Sequence, residues 1–350
     1  MKKRKTFSVI SALLLAALTV TGLCSCKSGK KEINLLTWEG YVPAEVVARF
    51  EADTNIKVNY SYFDTNEEMY DKILTQKNTY DVVICSDYII DVMLKTGGAL
   101  QKLDKSKLPN IVNVDPNFQT KYYDPDNEYS IPHAAGFPII VYDTARVDFE
   151  IKGYKDFWNP ALKNKVVLLD GARDIIGMAL QTLGYSINET DPAKLEQAKQ
   201  ELFTLKPNII SFDANKPHEA IIRGDASVGF MFGSQATAAM EEVSTVTYVY
   251  PEENLAVAID NYVLLEGAPH SEEAYTFMNY MLDGKTSANI SELINYINCN
   301  TAAKPFLSEA FLNNKTVNVP SELFKTAENY QNIGDTQILY DEIWTEVKSK

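Results

Sequence analysis

Histidine is nearly absent from this chain of 350 residues. It has three, His133, His218 and His270, and none stands at the spacing of a zinc site or of a zinc protease. Each is therefore read as a surface or hydrogen-bonded side chain. Cysteine is scarce as well: Cys24, Cys26, Cys85 and Cys299 are too few for a disulfide framework and lack metal-ligand spacing. Whether Cys85 and Cys299 pair is left open by the sequence. Neither a Gly-x-Gly-x-x-Gly fingerprint nor a Gly-x-Ser-x-Gly elbow occurs. Gly284-Lys285-Thr286 ends like a phosphate-binding loop, but Asn279 stands where the first glycine belongs, and the segment follows a helical pattern. An enzyme, a metal centre and a bound cofactor are therefore not expected. Positive charge is also in deficit. Lys+Arg number 33 against 47 Asp+Glu, a net charge of −14, which argues against a nucleic-acid or anionic-membrane partner and permits a cationic ligand. No apolar run reaches the roughly 20 residues of a membrane-spanning helix.

What is present begins with an export signal. Lys2, Lys3, Arg4 and Lys5 form a basic start, and an apolar run from about Val9 to Leu23 follows. Leu23-Cys24-Ser25-Cys26 resembles a bacterial lipoprotein box, in which a small residue precedes the cysteine that is lipidated; Ser25 makes Cys26 the better fit. Residues 1–25 are then a signal peptide, and removing them takes away four cations and no acid, so the remainder is more acidic still. Lys27-Ser28-Gly29-Lys30-Lys31 gives residues 26–31 the composition of a flexible tether. Membrane attachment is expected only through the lipid.

Hydrophobic residues at 45% and charged residues at 23% give a chain that folds, and its length suits two lobes better than one. Short β-branched runs alternate with amphipathic stretches, the pattern of a parallel α/β architecture. Strands are expected at 33–36, 56–63, 81–85, 165–169, 209–212, 228–232, 246–250 and 256–265. Helices are expected at 43–53, 67–76, 173–183, 192–205, 218–223, 235–243, 272–282, 287–297, 322–329 and 340–347. Asp191-Pro192 is a helix start, an acid at the cap followed by proline in the first turn. A Pro-rich and Asn-rich region from about Leu108 to Pro138 reads as irregular and separates two α/β sets.

Particular residues carry a resemblance. Trp38-Glu39-Gly40-Tyr41-Val42-Pro43, Asn66-Glu67-Glu68-Met69-Tyr70, Tyr80-Asp81-Val82-Val83, Ser86-Asp87-Tyr88, Tyr129-Ser130-Ile131-Pro132, Ala172-Arg173, Leu183-Gly184-Tyr185-Ser186, Thr190-Asp191-Pro192 and Asp260 occur in that order. Together they make the whole chain after the tether similar to the spermidine/putrescine-binding proteins of bacterial polyamine ABC transporters. The resemblance implies a two-lobed periplasmic-binding-protein fold, type II-like, with a hinge and a central ligand cleft. One lobe would be 32–134 plus 260–304, the other 135–259 plus 305–350. It also implies a monomer that closes on putrescine or spermidine and delivers it to a membrane permease.

A polyamine is a chain of methylenes bearing ammonium groups, so its site needs carboxylates for the charge and aromatic walls for the stem. By resemblance Trp38, Glu39 and Tyr41, Ser86 and Tyr88, Phe232 and Tyr296 line the cleft, Asp174 and Asp260 hold ammonium groups, and Gln331 adds a polar contact. Trp158 and Trp344 read as packing residues. The chain departs from the family at Gly171, where a second acid is expected, at Phe232 and Ala258, where tryptophans are expected, and at Gly40, where the family has the first-loop acid. These departures favour a diamine slightly, with Glu39, Asp87 and Asp170 as compensating acids. A receptor for another small organic cation, and a polyamine-sensing or structural surface lipoprotein, are the alternatives.

Overall fold

The computed structural model describes residues 31–320 and 322–349. The signal segment, Cys26 and the tether up to Lys30 lie outside the described residues. The chain opens with β1 (Glu32–Thr37), α1 (Ala44–Thr54), β2 (Lys57–Tyr62), α2 (Asn66–Thr75), β3 (Val82–Ser86) and α3 (Asp87–Thr96). Short 3-10 turns follow, then β4 (Ser130–Gly136) and β5 (Pro138–Asp143). Next come β6 (Val166–Leu168), α4 (Ala172–Thr182), α5 (Pro192–Leu205), β7 (Ile209–Phe212), α6 (Pro217–Ile222), β8 (Val228–Phe232), α7 (Gly233–Glu242) and β9 (Val246–Val249). The remainder is β10 (Ala256–Leu264), α8 (Ser271–Met281), α9 (Gly284–Ile294), β11 (Ile297–Asn298), α10 (Glu309–Asn313), α11 (Leu323–Thr326), β12 (Glu328–Asn329) and α12 (Thr336–Ser349).

Local chemistry accounts for the helix ends. Thr65 accepts a hydrogen bond from the Glu68 amide to start α2, and Asp191 accepts one from the Ala193 amide to start α5, with Pro192 in the first turn. Helix α1 stops at Asn55, whose left-handed φ of 56° lets its amide return to the Glu51 carbonyl.

The strands form two sheets. The first has the order β11-β4-β10-β3-β1-β2, with β12 beside β10; the second has the order β7-β6-β8-β5-β9. β1 is parallel to β2 and β3, whereas β10 runs antiparallel between β3 and β4. In the second sheet β6 is parallel to β7 and β8, and β5 runs antiparallel between β8 and β9. The chain thus leaves the first sheet between β4 and β5 and returns to it between β9 and β10.

Both sheets are covered on both faces, which is why their strands read as continuous apolar runs. In β3, Val82 and Ile84 join a core with Phe50 and Phe277, while Val83 and Cys85 join another with Met69 and Met93. The second sheet packs Leu168 and Phe230 against Ile175, Leu202 and Trp344 on one side, and Val167 and Met231 against Ala236 and Ile221 on the other. Each fully buried aliphatic or aromatic side chain contributes about 1.5–3 kcal/mol.

Two expectations are corrected, and α3 and β5 stand where no element was expected. Residues 108–138 are not irregular throughout, because β4 closes that region, and Pro132 is accommodated in the strand next to a register shift. The helix expected at 322–329 is only Leu323–Thr326, because Glu328 and Asn329 instead pair with Ala256 and Val257 along the edge of β10. Cys85 and Cys299 are both buried free thiols.

Candidate functional site

In both sheets the parallel strands end at one cavity. Trp38 follows β1, Ser86 and Asp87 sit where β3 meets α3, Asp170 and Gly171 follow β6, and Phe232 ends β8. All of them line a cavity of 660 Å³. The carboxyl ends of parallel strands are where open α/β sheets bind ligands, because side chains there converge while the sheets stay rigid.

The first loop is set by Gly40, whose φ of +75° completes a turn in which the Tyr41 amide bonds the Trp38 carbonyl. The turn stacks Trp38 edge-on against Tyr41, ring centroids 5.4 Å apart, and Trp38 also packs on Phe63 at 4.6 Å. Tyr41 belongs to the core of the first sheet. Its hydroxyl donates to Asp260 Oδ2 at 2.5 Å, and Ser86 Oγ donates to Asp260 Oδ1 at 2.7 Å.

Asp260 lies at the register shift of β10, where it faces Ala134 while Asn261 faces Pro132. Such a bulge re-aims a side chain. It also leaves His133 without a partner on β10. His133 is buried between the rings of Tyr41 and Tyr262, its Nε2 has no hydrogen bond, and burial pushes its pKa down to about 3. It is neither a surface nor a satisfied histidine, as had been expected, but a neutral ring beneath the site.

The cavity wall is acidic. Asp64, Glu67, Asp87, Asp170, Asp174 and Asp341 line it, against Arg173 and Lys348. Asp87 is fully buried, accepts a hydrogen bond from Asn329 Nδ2 at 3.2 Å, and has a carboxyl held well above its usual range by burial and then by the nearby Asp260. Asp174, in the first turn of α4, accepts a hydrogen bond from the Tyr330 hydroxyl at 2.6 Å; burial raises its pKa, with Tyr330 and Arg173 opposing. Asp260 is likewise raised by burial, with Tyr41 and Ser86 opposing. Both Asp87 and Asp174 sit at helix N-termini, where the dipole favours a carboxylate. A site that keeps this many acids at the expense of desolvation is built to meet positive charge.

Arg173 is the internal cation of this wall. Its Nη2 donates to Asn188 Oδ1 at 2.8 Å and its Nη1 to the Gln331 carbonyl at 3.1 Å, while Nε is buried without a partner. The guanidinium lies 5.9, 5.7 and 5.2 Å from the ring centroids of Tyr88, Tyr330 and Tyr340. It therefore links Tyr88, on the first-sheet side of the cavity, to helix α4 on the other.

The ten residues named from the sequence divide into three groups. Trp38, Ser86, Tyr88, Asp174 and Phe232 line the cavity. Tyr41, Asp260 and Tyr296 form a layer against it: Tyr296 stands 5.4 Å from Tyr41 and 6.5 Å from Phe232, ring to ring. Glu39 and Gln331 are not brought to it. Glu39 is exposed in the Gly40 turn, and Gln331 is exposed beside a separate depression lined by Lys121 and Tyr122. Sequence reasoning missed Arg173 and Tyr330 as members of the site. It also read Trp344 as packing only; Trp344 does pack in the second-sheet core, and it lines the cavity as well.

Among the described residues no cluster of three or more potential metal ligands occurs, and no helix is long and apolar enough to cross a membrane. Residues 45–318 match the family of bacterial extracellular solute-binding proteins. The spermidine/putrescine-binding periplasmic protein of Salmonella typhimurium strain LT2 is 33% identical over 340 residues, 96% of this chain and 97% of that protein. The spermidine/putrescine-binding periplasmic protein 1 of Haemophilus influenzae is 33% identical over 360 residues, covering 99% of each. Among solved structures, a spermidine/putrescine ABC transporter substrate-binding protein of Streptococcus pneumoniae superposes with a TM-score of 0.80 at 32% identity, covering 91% of this chain and 98% of its own. A two-sheet α/β fold, a cavity at the strand ends and relatives of this kind agree: the chain belongs to the bacterial extracellular solute-binding proteins, receptors and not enzymes.

Proposed function

We propose that this protein is an extracytoplasmic receptor for a polyamine, putrescine or spermidine, that closes on its ligand and delivers it to the membrane permease of an ABC importer. The observation that carries the reading is the cavity wall, in which six acids face two cations among Trp38, Tyr88 and Phe232. Carboxylates pair with ammonium groups, and ring faces take the methylenes and add cation–π attraction of about 0.5–2 kcal/mol per contact. The names of the relatives in Salmonella and Haemophilus support the same ligand class.

In this reading Trp38, Ser86, Tyr88 and Phe232 form the walls, with Tyr41 and Tyr296 behind them. Asp260 and Asp174 take the ammonium groups, with Asp87 as the third acid. The moving parts are the lobes 32–134 plus 260–304 and 135–259 plus 305–350, hinged where β4 passes to β5 and β9 to β10. The protein acts as a monomer, anchored by lipid on Cys26. Mass spectrometry of the exported protein checks the anchor: an unmodified N-terminus, or cleavage away from Cys26, sinks that part.

Calorimetry with putrescine, spermidine and spermine tests the ligand. One polyamine per chain is the expected result, with Trp38 fluorescence changing over the same titration. Absence of heat and of any thermal shift with all three rejects the reading, since saturation at a hundred times Kd stabilises a receptor by about 2.7 kcal/mol.

A further inference from the structure

At one end of the cavity wall the chain supplies its own ammonium. Lys348 Nζ donates to Asp170 Oδ1 at 2.9 Å and stands 5.3 Å from the centroid of the Trp344 ring. The Trp344 indole N–H donates to the same Oδ1 at 3.1 Å, and Asp170, Trp344 and Lys348 all line the cavity. Trp344 and Lys348 are four residues apart on α12, so both side chains leave one face of that helix toward Asp170, which follows β6.

Carboxylate, aromatic face and ammonium are the set a polyamine-binding subsite needs, and here all three come from the protein. We infer that Lys348 is a tethered occupant of an ammonium subsite and thereby sets the length of polyamine the cavity accepts. The inference rests on the polyamine reading above. A carboxylate already paired with a lysine has little left for a second cation, and two ammonium groups on one acid repel each other. With Asp170 taken, Asp174 and the Asp87–Asp260 pair are the carboxylates left that are sheltered from solvent, Asp64, Glu67 and Asp341 being exposed, which suits a diamine. A triamine must displace Lys348 or leave its third ammonium unpaired. Because the lysine is exposed, displacement is feasible and is felt as a preference rather than a block.

The experiment is calorimetry with putrescine and spermidine on the full chain, on Lys348→Met and on Lys348→Met combined with Asp170→Asn. Methionine keeps the stem over Trp344 and removes the charge. The ratio of spermidine to putrescine affinity should rise more than threefold in Lys348→Met and fall back toward the parent in the double variant. Lys348→Arg, which keeps the charge, should retain the parent ratio, with melting curves confirming that each variant is folded. A ratio in Lys348→Met within threefold of the parent overturns the inference while leaving a polyamine-binding parent in place. A rise that persists without Asp170 overturns it too. If the parent binds neither ligand, the polyamine reading fails and this inference falls with it.

Discussion

The Tyr41 hydroxyl and the Asp260 carboxylate, 219 residues apart in the chain, share a hydrogen bond of 2.5 Å that ties the first loop to the central strand of the first sheet. With Ser86 on the other oxygen, Asp260 is oriented before any ligand arrives. Preorganisation of this kind reduces what a ligand must order on binding.

Asp260→Asn keeps the shape and removes the charge. Breaking one partner of a desolvated ion pair costs about 3–5 kcal/mol, or about two to three and a half decades of affinity. Calorimetry should show that loss for putrescine. Asp174→Asn should lose less, because Asp174 is half-buried where Asp260 is buried, and Tyr41→Phe less than Asp260→Asn, because the charge remains. A parent-like affinity in a folded Asp260→Asn would make that carboxylate structural.

Proton traffic gives an independent reading. Burial holds the carboxyls of Asp87, Asp174 and Asp260 above the ordinary 3.8, against the pull of Arg173, Tyr330, Asn329, Tyr41 and Ser86. A bound ammonium favours the ionised forms, so binding should release protons and tighten as pH rises from 3.8 through the raised values. Calorimetry at about pH 5 in two buffers of different ionisation enthalpy measures the release; zero net protons would contradict it.

For the empty protein the sign is the reverse of an ordinary paired acid. A carboxyl raised in the folded state contributes stability while protonated, and that contribution is lost as pH climbs through the raised value. Asp260→Asn cannot titrate there. Its stability relative to the parent should therefore increase with pH over that window, as read by denaturant unfolding.

Gly233 opens α7 directly after Phe232, and a Cβ there would lie 2.1 Å from the Thr316 carbonyl oxygen. A backbone atom cannot swing aside as a side-chain tip can. Gly233→Ala should therefore destabilise the protein by about 1–3 kcal/mol in urea and weaken ligand binding by displacing Phe232.

Much of the fold could be read because local and tertiary preferences agree. Asp191-Pro192 marks α5, and the apolar run of β8 is a strand by composition and by burial. Strand β4 was hidden because Pro132 and His133 argue against a central strand, and only its pairing with β10, register shift included, makes room for them. Helix α3 was hidden because Ile89 and Ile90 follow β3 without a break, so one apolar run spans two elements. Within the cavity, residues at strand ends could be placed by their position in the chain. Arg173 among three tyrosines, and Lys348 on Asp170, depend on how segments far apart in the chain pack together, and no local pattern announces them.

Strand β10 fills the gap between β3 and β4, yet it is made long after both, when the whole second sheet has already been threaded through. Until residue 264 is in place, the first sheet has two unpaired edges where its middle should be, and bare edges recruit other chains. Closing so long a loop also makes folding slow. A fragment ending after β5 should accordingly aggregate instead of forming a lobe, because the strand that joins its two halves is missing.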